Sequence, residues 1–222
     1  MQDACSLVML PGLGADDRLL EPQRHAFPDL VVPRWIPPRR FETLPEYAVR
    51  LAAEIPPAPR LVLGGVSLGG MVAYEMARHL RPAAVILVAS CCRREGFRHF
   101  FPLWRWMASR TPAWALRCAK WSSPRTARWL IGTGPEVAKL VAMFRDADSE
   151  FMRWALGAIA QWDPLPLEDI PVRHIHGARD RLIPARNVRA DETVADGGHL
   201  INVTHADRVN GFIRRVLQQL PD

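Results

Sequence analysis

The chain has 222 residues, 49% hydrophobic and 23% charged, with a formal net charge of +6. That is enough for one domain with a sizeable core, and the composition is too ordinary for bulk disorder. No run approaches the roughly 20 apolar residues of a membrane span, the start Met-Gln-Asp-Ala-Cys lacks the basic and apolar regions of a secretory signal, and no nucleic-acid-binding motif accompanies the basic balance; a cytoplasmic protein without a transmembrane segment or a nucleic-acid partner is the expectation.

In chain order, Cys5–Leu10 reads as a short buried strand ending at Pro11-Gly12. Leu30–Ile36 is a second apolar run, weakened by Pro33. Thr43 with Glu46 forms a capping-box pattern, and Leu44, Ala48, Leu51, Ala52 and Ile55 share one helical face behind it. Leu61–Val66 is the third strand run. Val72, Ala73, Met76, Ala77 and Leu80 form the next helical stripe, which stops before Pro82. Ala84–Ala89 is the clearest strand, and Val172–His176 and Glu192–Ala195 are weaker ones. Thr204 is positioned to cap a last helix with Val209, Phe212, Ile213, Val216, Leu217 and Leu220 inside. Continuous apolarity in the strands predicts burial on both faces, as in a parallel sheet, and alternation with helices predicts βαβ units. Residues 93–163 break the alternation: they are helical in pattern and rich in Trp, a helical insertion within one α/β domain spanning 1–222. The four cysteines, Cys5, Cys91, Cys92 and Cys118, follow no metal-site spacing and are expected as thiols.

Gly65-Val66-Ser67-Leu68-Gly69 matches G-x-S-x-G between a predicted strand and a predicted helix. A nucleophile there sits on a tight, strained turn that projects its hydroxyl above the sheet. Small flanking residues relieve the crowding, and the helix N-terminus favours developing negative charge. Ser67 is therefore the candidate nucleophile. It needs a base, and the base needs an orienting acid, in the chain order Ser, acid, His. Asp180 in His176-Gly177-Ala178-Arg179-Asp180 is the candidate acid, with Asp196 as its rival. His199 in Asp196-Gly197-Gly198-His199 is the candidate base, with His205 as its rival. His174 and His176, inside the predicted strand, read as packing residues. Acyl transfer also needs donors for an oxyanion; the backbone N–H groups of Leu13, in Pro11-Gly12-Leu13-Gly14, and of Leu68 are the candidates.

PGLG at 11–14, GVSLG at 65–69, HGARD at 176–180 and GGH at 197–199 resemble the α/β-hydrolase superfamily, in its compact serine-esterase and carboxylesterase members, over nearly the whole chain. The resemblance implies a three-layer α/β sandwich, a mostly parallel sheet of about six strands with helices on both faces, and a helical cap at 93–163 before the acid strand. Two departures stand out. Pro11 replaces the usual His of the oxyanion loop, and the chain begins at the family's third strand.

The expected chemistry is hydrolysis of a carboxylic ester or thioester with an apolar part, through a Ser-His-Asp triad and an acyl-enzyme, with no cofactor and no metal. Seven of the eight tryptophans lie in the insertion, and residues 93–128 hold nine basic side chains against Glu95 alone. The tryptophans either wall an acyl pocket or pack the cap, and the basic face either meets an acidic carrier protein or anionic surface or is simply solvated. A thioesterase or methyl-esterase on carrier-bound acyl chains, and a non-catalytic ligand-binding member of the same fold, are the alternatives. C–C bond hydrolases and acyltransferases share the triad; a haloalkane dehalogenase is disfavoured, since it needs a carboxylate at position 67.

Overall fold

The computed structural model describes residues 5–97 and 136–220. Five strands, β1 (Cys5–Leu10), β2 (Arg60–Val66), β3 (Ala84–Val88), β4 (Val172–Gly177) and β5 (Glu192–Val194), lie side by side in chain order, every neighbouring pair parallel. The interior rows are apolar on both faces, as the unbroken runs required: Leu63, Val85 and Leu87 point into one core, and Met9, Val62, Ile86 and Val88 into the other. Full burial of such side chains contributes about 1.5–3 kcal/mol each.

Helices α1 (Glu21–Ala26), α2 (Leu44–Ala52), α3 (Leu68–Leu80), α4 (Glu136–Asp146), α5 (Ser149–Gln161), α6 (Ile201–Thr204) and α7 (Ala206–Gln218) cover the sheet. One face carries α2, α3 and α5; the other carries α6 and α7. The capping box at α2 forms as read: Thr43 Oγ1 accepts from the Glu46 N–H, and Glu46 Oε2 accepts from the Thr43 N–H at 2.8 Å. Helix α3 is buried from Leu68 to Ala77 and ends on left-handed Arg81, just before Pro82.

Two expectations need correction. Among the described residues the sheet has five strands rather than about six, because the 30–36 run contributes only an isolated parallel bridge, Val8 to Val31. The Met9 N–H reaches Val31 O and the Val31 N–H reaches Leu7 O, both at 3.0 Å; Pro33, with no N–H to give, cannot extend that ladder. Thr204 does not cap the last helix. It ends α6, its hydroxyl bonded to Leu200 O at 3.1 Å, and α7 starts at Ala206.

Between β3 and β4, α5 is anchored at both ends. Phe151 and Trp154 of α5 pack with Trp35 and Tyr47, the Tyr47–Trp154 centroids 4.3 Å apart, and Trp154 Nε1 donates to Glu42 O at 2.7 Å. Trp162 Nε1 donates to buried Glu75 on α3 at 2.8 Å. These two tryptophans pack α5 against the elements beneath it; Trp104, Trp106, Trp114, Trp121 and Trp129, Cys118, and the basic residues from Arg98 to Arg128 lie outside the described residues. Cys5, Cys91 and Cys92 are thiols. Among the described residues no helix is long and apolar enough to cross a membrane.

Candidate active site

Ser67 occupies the turn between β2 and α3 at φ 53°, ψ −119°. A non-glycine residue there stores about 1–3 kcal/mol of strain, so surrounding bonds must hold it. The Ser67 N–H donates to Val88 O at 3.0 Å, and the buried Ser90 hydroxyl donates to Ser67 O at 2.6 Å. A methyl group on Gly69 would run into the backbone carbonyls of Leu10 and Pro11, so only glycine lets α3 start this close to the end of β1. Packed that tightly, the β1 loop lies against the serine: a Cβ at Gly12 would stand 3.6 Å from Ser67 Cβ. Leu68 opens the first turn of the 13-residue α3, where N–H groups and the helix dipole favour an anion.

Asp180 follows β4 and His199 follows β5; both are about 5% exposed. His199 Nδ1 and Asp180 Oδ2 are 2.7 Å apart. Since the carboxylate only accepts, the neutral ring carries its proton on Nδ1 and presents the Nε2 lone pair. Asp180 Oδ1 accepts from the N–H groups of Leu182 at 2.8 Å and Ile183 at 2.9 Å. Burial alone would raise the Asp180 pKa, but the His199 ring, the His176 and His199 N–H bonds and the Ile183 N–H outweigh it and hold the carboxyl well below the usual carboxylate range. The rivals lie elsewhere, bonded to each other: exposed Asp196 meets His205 Nε2 at 3.2 Å.

The structure thus joins Asp180 to His199 directly. It sets Ser67 and Leu68 at the carboxyl end of β2, and Leu13 beside Gly12 in the loop that borders Ser67. Sequence reasoning missed Ser90 and the two β4 histidines as neighbours of this constellation. The signal for the histidines was their spacing of two, which puts both on one sheet face immediately ahead of Asp180. No signal marked Ser90.

Gly14, at φ 73°, is covered by Phe144 of α4: a Cβ at Gly14 would come within 2.6 Å of that ring. Arg18–Asp146 at 2.8 Å and Lys139–Glu21 at 3.0 Å bridge the same helix to the segment after β1. Helix α4 therefore roofs the loop bordering Ser67. Among the described residues no group of His, Cys, Asp and Glu side chains is arranged to hold a metal ion.

Comparison with known proteins agrees with this architecture. A thermophilic esterase from Thermogutta terrifontis superposes with a TM-score of 0.69 at 22% identity, over 98% of this chain and 90% of that one. The enol-lactonase from Burkholderia xenovorans LB400 superposes with a TM-score of 0.65 at 20% identity, over 99% and 94%. A Synechocystis sp. protein named "Putative non-heme chloroperoxidase" is 38% identical over 66 residues, which span 25% of this chain and 24% of that relative. The model of the alpha/beta hydrolase family matches residues 7–212, and the chain belongs to that family.

Proposed function

We propose that the protein is a serine hydrolase that cleaves a carboxylic ester or thioester through Ser67, His199 and Asp180. The buried Asp180–His199 bond of 2.7 Å carries the reading, because it fixes the imidazole in the tautomer a general base needs. In the proposed cycle, His199 Nε2 takes the Ser67 hydroxyl proton as Oγ attacks the carbonyl carbon. The tetrahedral oxyanion is received by the backbone N–H groups of Leu13 and Leu68. Collapse breaks the bond to the alcohol or thiol, which leaves with the proton from His199 and yields the acyl-enzyme. Water then attacks that ester with His199 again as base, releasing acid and restoring Ser67. Asp180 stays ionised throughout and stabilises the imidazolium.

The alcohol-side and acyl-side preferences follow from the cap, proposed to span 93–163, whose described helix α4 brings Phe144 to the Gly14 loop. An apolar acyl part fits such a roof. The test is turnover of short-chain and aryl esters of graded acyl length, with fluorophosphonate labelling of Ser67. Ester turnover abolished by Ser67→Ala is expected. A Ser67→Ala protein that still turns over, or wild type that neither turns over nor labels, overturns the proposal. The nine basic residues between Arg93 and Arg128 favour a carrier-borne acyl chain as a second reading; it requires charge reversal there to raise KM for carrier-bound thioesters while sparing free esters.

A further inference from the structure

The paired carboxylate oxygen Asp180 Oδ2 has a second neighbour. His176 Nε2 lies 3.3 Å from it and 2.8 Å from Ile183 O. Both of those oxygens are acceptors, so the His176 proton must sit on Nε2, where it donates chiefly to Ile183 O and also faces Asp180 Oδ2 at the longer distance. Ile183 is itself one of the two residues whose N–H groups hold Asp180 Oδ1. His176 therefore grips the carboxylate and the peptide that anchors it.

His176 is in turn held by His174. Their rings meet edge to face, with His174 Nε2 3.1 Å from His176 Nδ1. His174 Nδ1 lies 3.2 Å from Arg189 O, and the His174 backbone N–H donates to Asp191 Oδ2 at 2.6 Å. Burial, then the neighbouring His176, push the His174 ring down to about 3, so at neutral pH it brings one proton, which serves either His176 or the Arg189 carbonyl. The two rings are 3% and 0% exposed. Together they clamp both ends of the β4–β5 connection, residues 180–183 at one end and 189–191 at the other.

We infer that His176 is a positioning residue for the proposed triad: its Nε2–H fixes the plane of the Asp180 carboxylate so that Oδ2 meets His199, with the His174 ring packed edge to face against it. The inference rests on the triad reading. Two backbone N–H bonds to Oδ1 leave the carboxylate free to swing about that oxygen. A second donor at Oδ2 removes this freedom, and a misaligned base loses rate rather than substrate affinity.

The test compares His176→Leu, which keeps bulk and removes the donor, with His176→Gln, whose amide N–H reaches the place of Nε2. The readouts are kcat and KM on a short-chain aryl ester, alongside thermal midpoints and Ser67→Ala. His176→Leu is expected to lose kcat about tenfold or more with KM changed less than about threefold. His176→Gln is expected to recover most of that loss. If His176→Leu keeps wild-type kcat, or if Gln fails to rescue a folded protein, the inference is overturned while an inactive Ser67→Ala leaves the triad standing. If Ser67→Ala remains active, the triad reading itself has failed.

Discussion

Asp180→Asn tests how the site is wired, because the structure dictates which way the new amide must turn. Its oxygen has to face the Leu182 and Ile183 N–H groups, 2.8 and 2.9 Å from Oδ1. The opposite flip would aim an NH2 at two buried donors, leaving each unsatisfied at about 1–3 kcal/mol. The amide NH2 therefore lands where Oδ2 was, facing His199 Nδ1 and the His176 N–H. To accept from it, His199 must give up its Nδ1 proton and carry the proton on Nε2 instead. A ring protonated on Nε2 cannot take the Ser67 proton. The expected loss in kcat is on the order of 10⁴-fold, about 5.5 kcal/mol, with KM little changed. The assay is steady-state hydrolysis of a short-chain aryl ester, with circular dichroism to verify folding. A folded Asp180→Asn variant within tenfold of wild-type kcat would refute this account of the acid.

Gly69→Ala is expected to yield little folded protein or a site without activity, since its methyl group would meet the Leu10 and Pro11 carbonyls, both of which are backbone and cannot move aside; a soluble variant with wild-type kcat would contradict that. Trp162→Phe removes the N–H that serves Glu75 Oε1 and leaves this buried carboxylate with the Arg78 bond at 3.0 Å, so urea denaturation should show a loss of about 1–3 kcal/mol. Stability should also fall in acid through Asp180. Its folded pKa lies below its unfolded value of about 3.9, so the contribution is complete above that value and fades as pH drops through it toward the folded one. The urea-midpoint gap between wild type and Asp180→Asn is therefore expected to shrink between neutral pH and about pH 3, and a gap independent of pH would contradict the assignment.

Much of this arrangement was legible because the chemistry leaves marks on neighbouring residue types. A serine at φ 53° between a strand and a helix needs glycines around it, and Gly65, Gly69 and Gly70 supply them in a countable motif. Parallel strands buried on both faces need unbroken apolar runs, which placed β1, β2 and β3 to within a residue or two. The 30–36 run misled because apolarity reports burial and not pairing: Leu30 is buried, yet Val31 makes only one bridge. Thr204 misled because a Thr before an amphipathic stripe is equally good at closing a short helix as at opening a long one, and only the Leu200 carbonyl decides which.

The β4 histidines show a different limit. His174 and His176 lie inside a predicted strand, and a buried histidine in a strand reads as packing until its partners are known. What separates a packing ring from a positioning ring is where its second nitrogen points, and that depends on residues far along the chain. His176 Nε2 meets Ile183 O seven positions later, and His174 Nδ1 meets Arg189 O fifteen positions later, across a connection whose path no local pattern encodes. The candidate acid was read from its motif, but the reason its carboxylate holds one orientation lies in four donors: two backbone N–H groups, His199 and His176. Backbone donors carry no residue identity, so that half of the grip leaves no trace in sequence. The histidine half does, and a His-x-His pair ending four residues before a candidate acid is therefore a pattern that predicts a clamped carboxylate rather than an ordinary core strand.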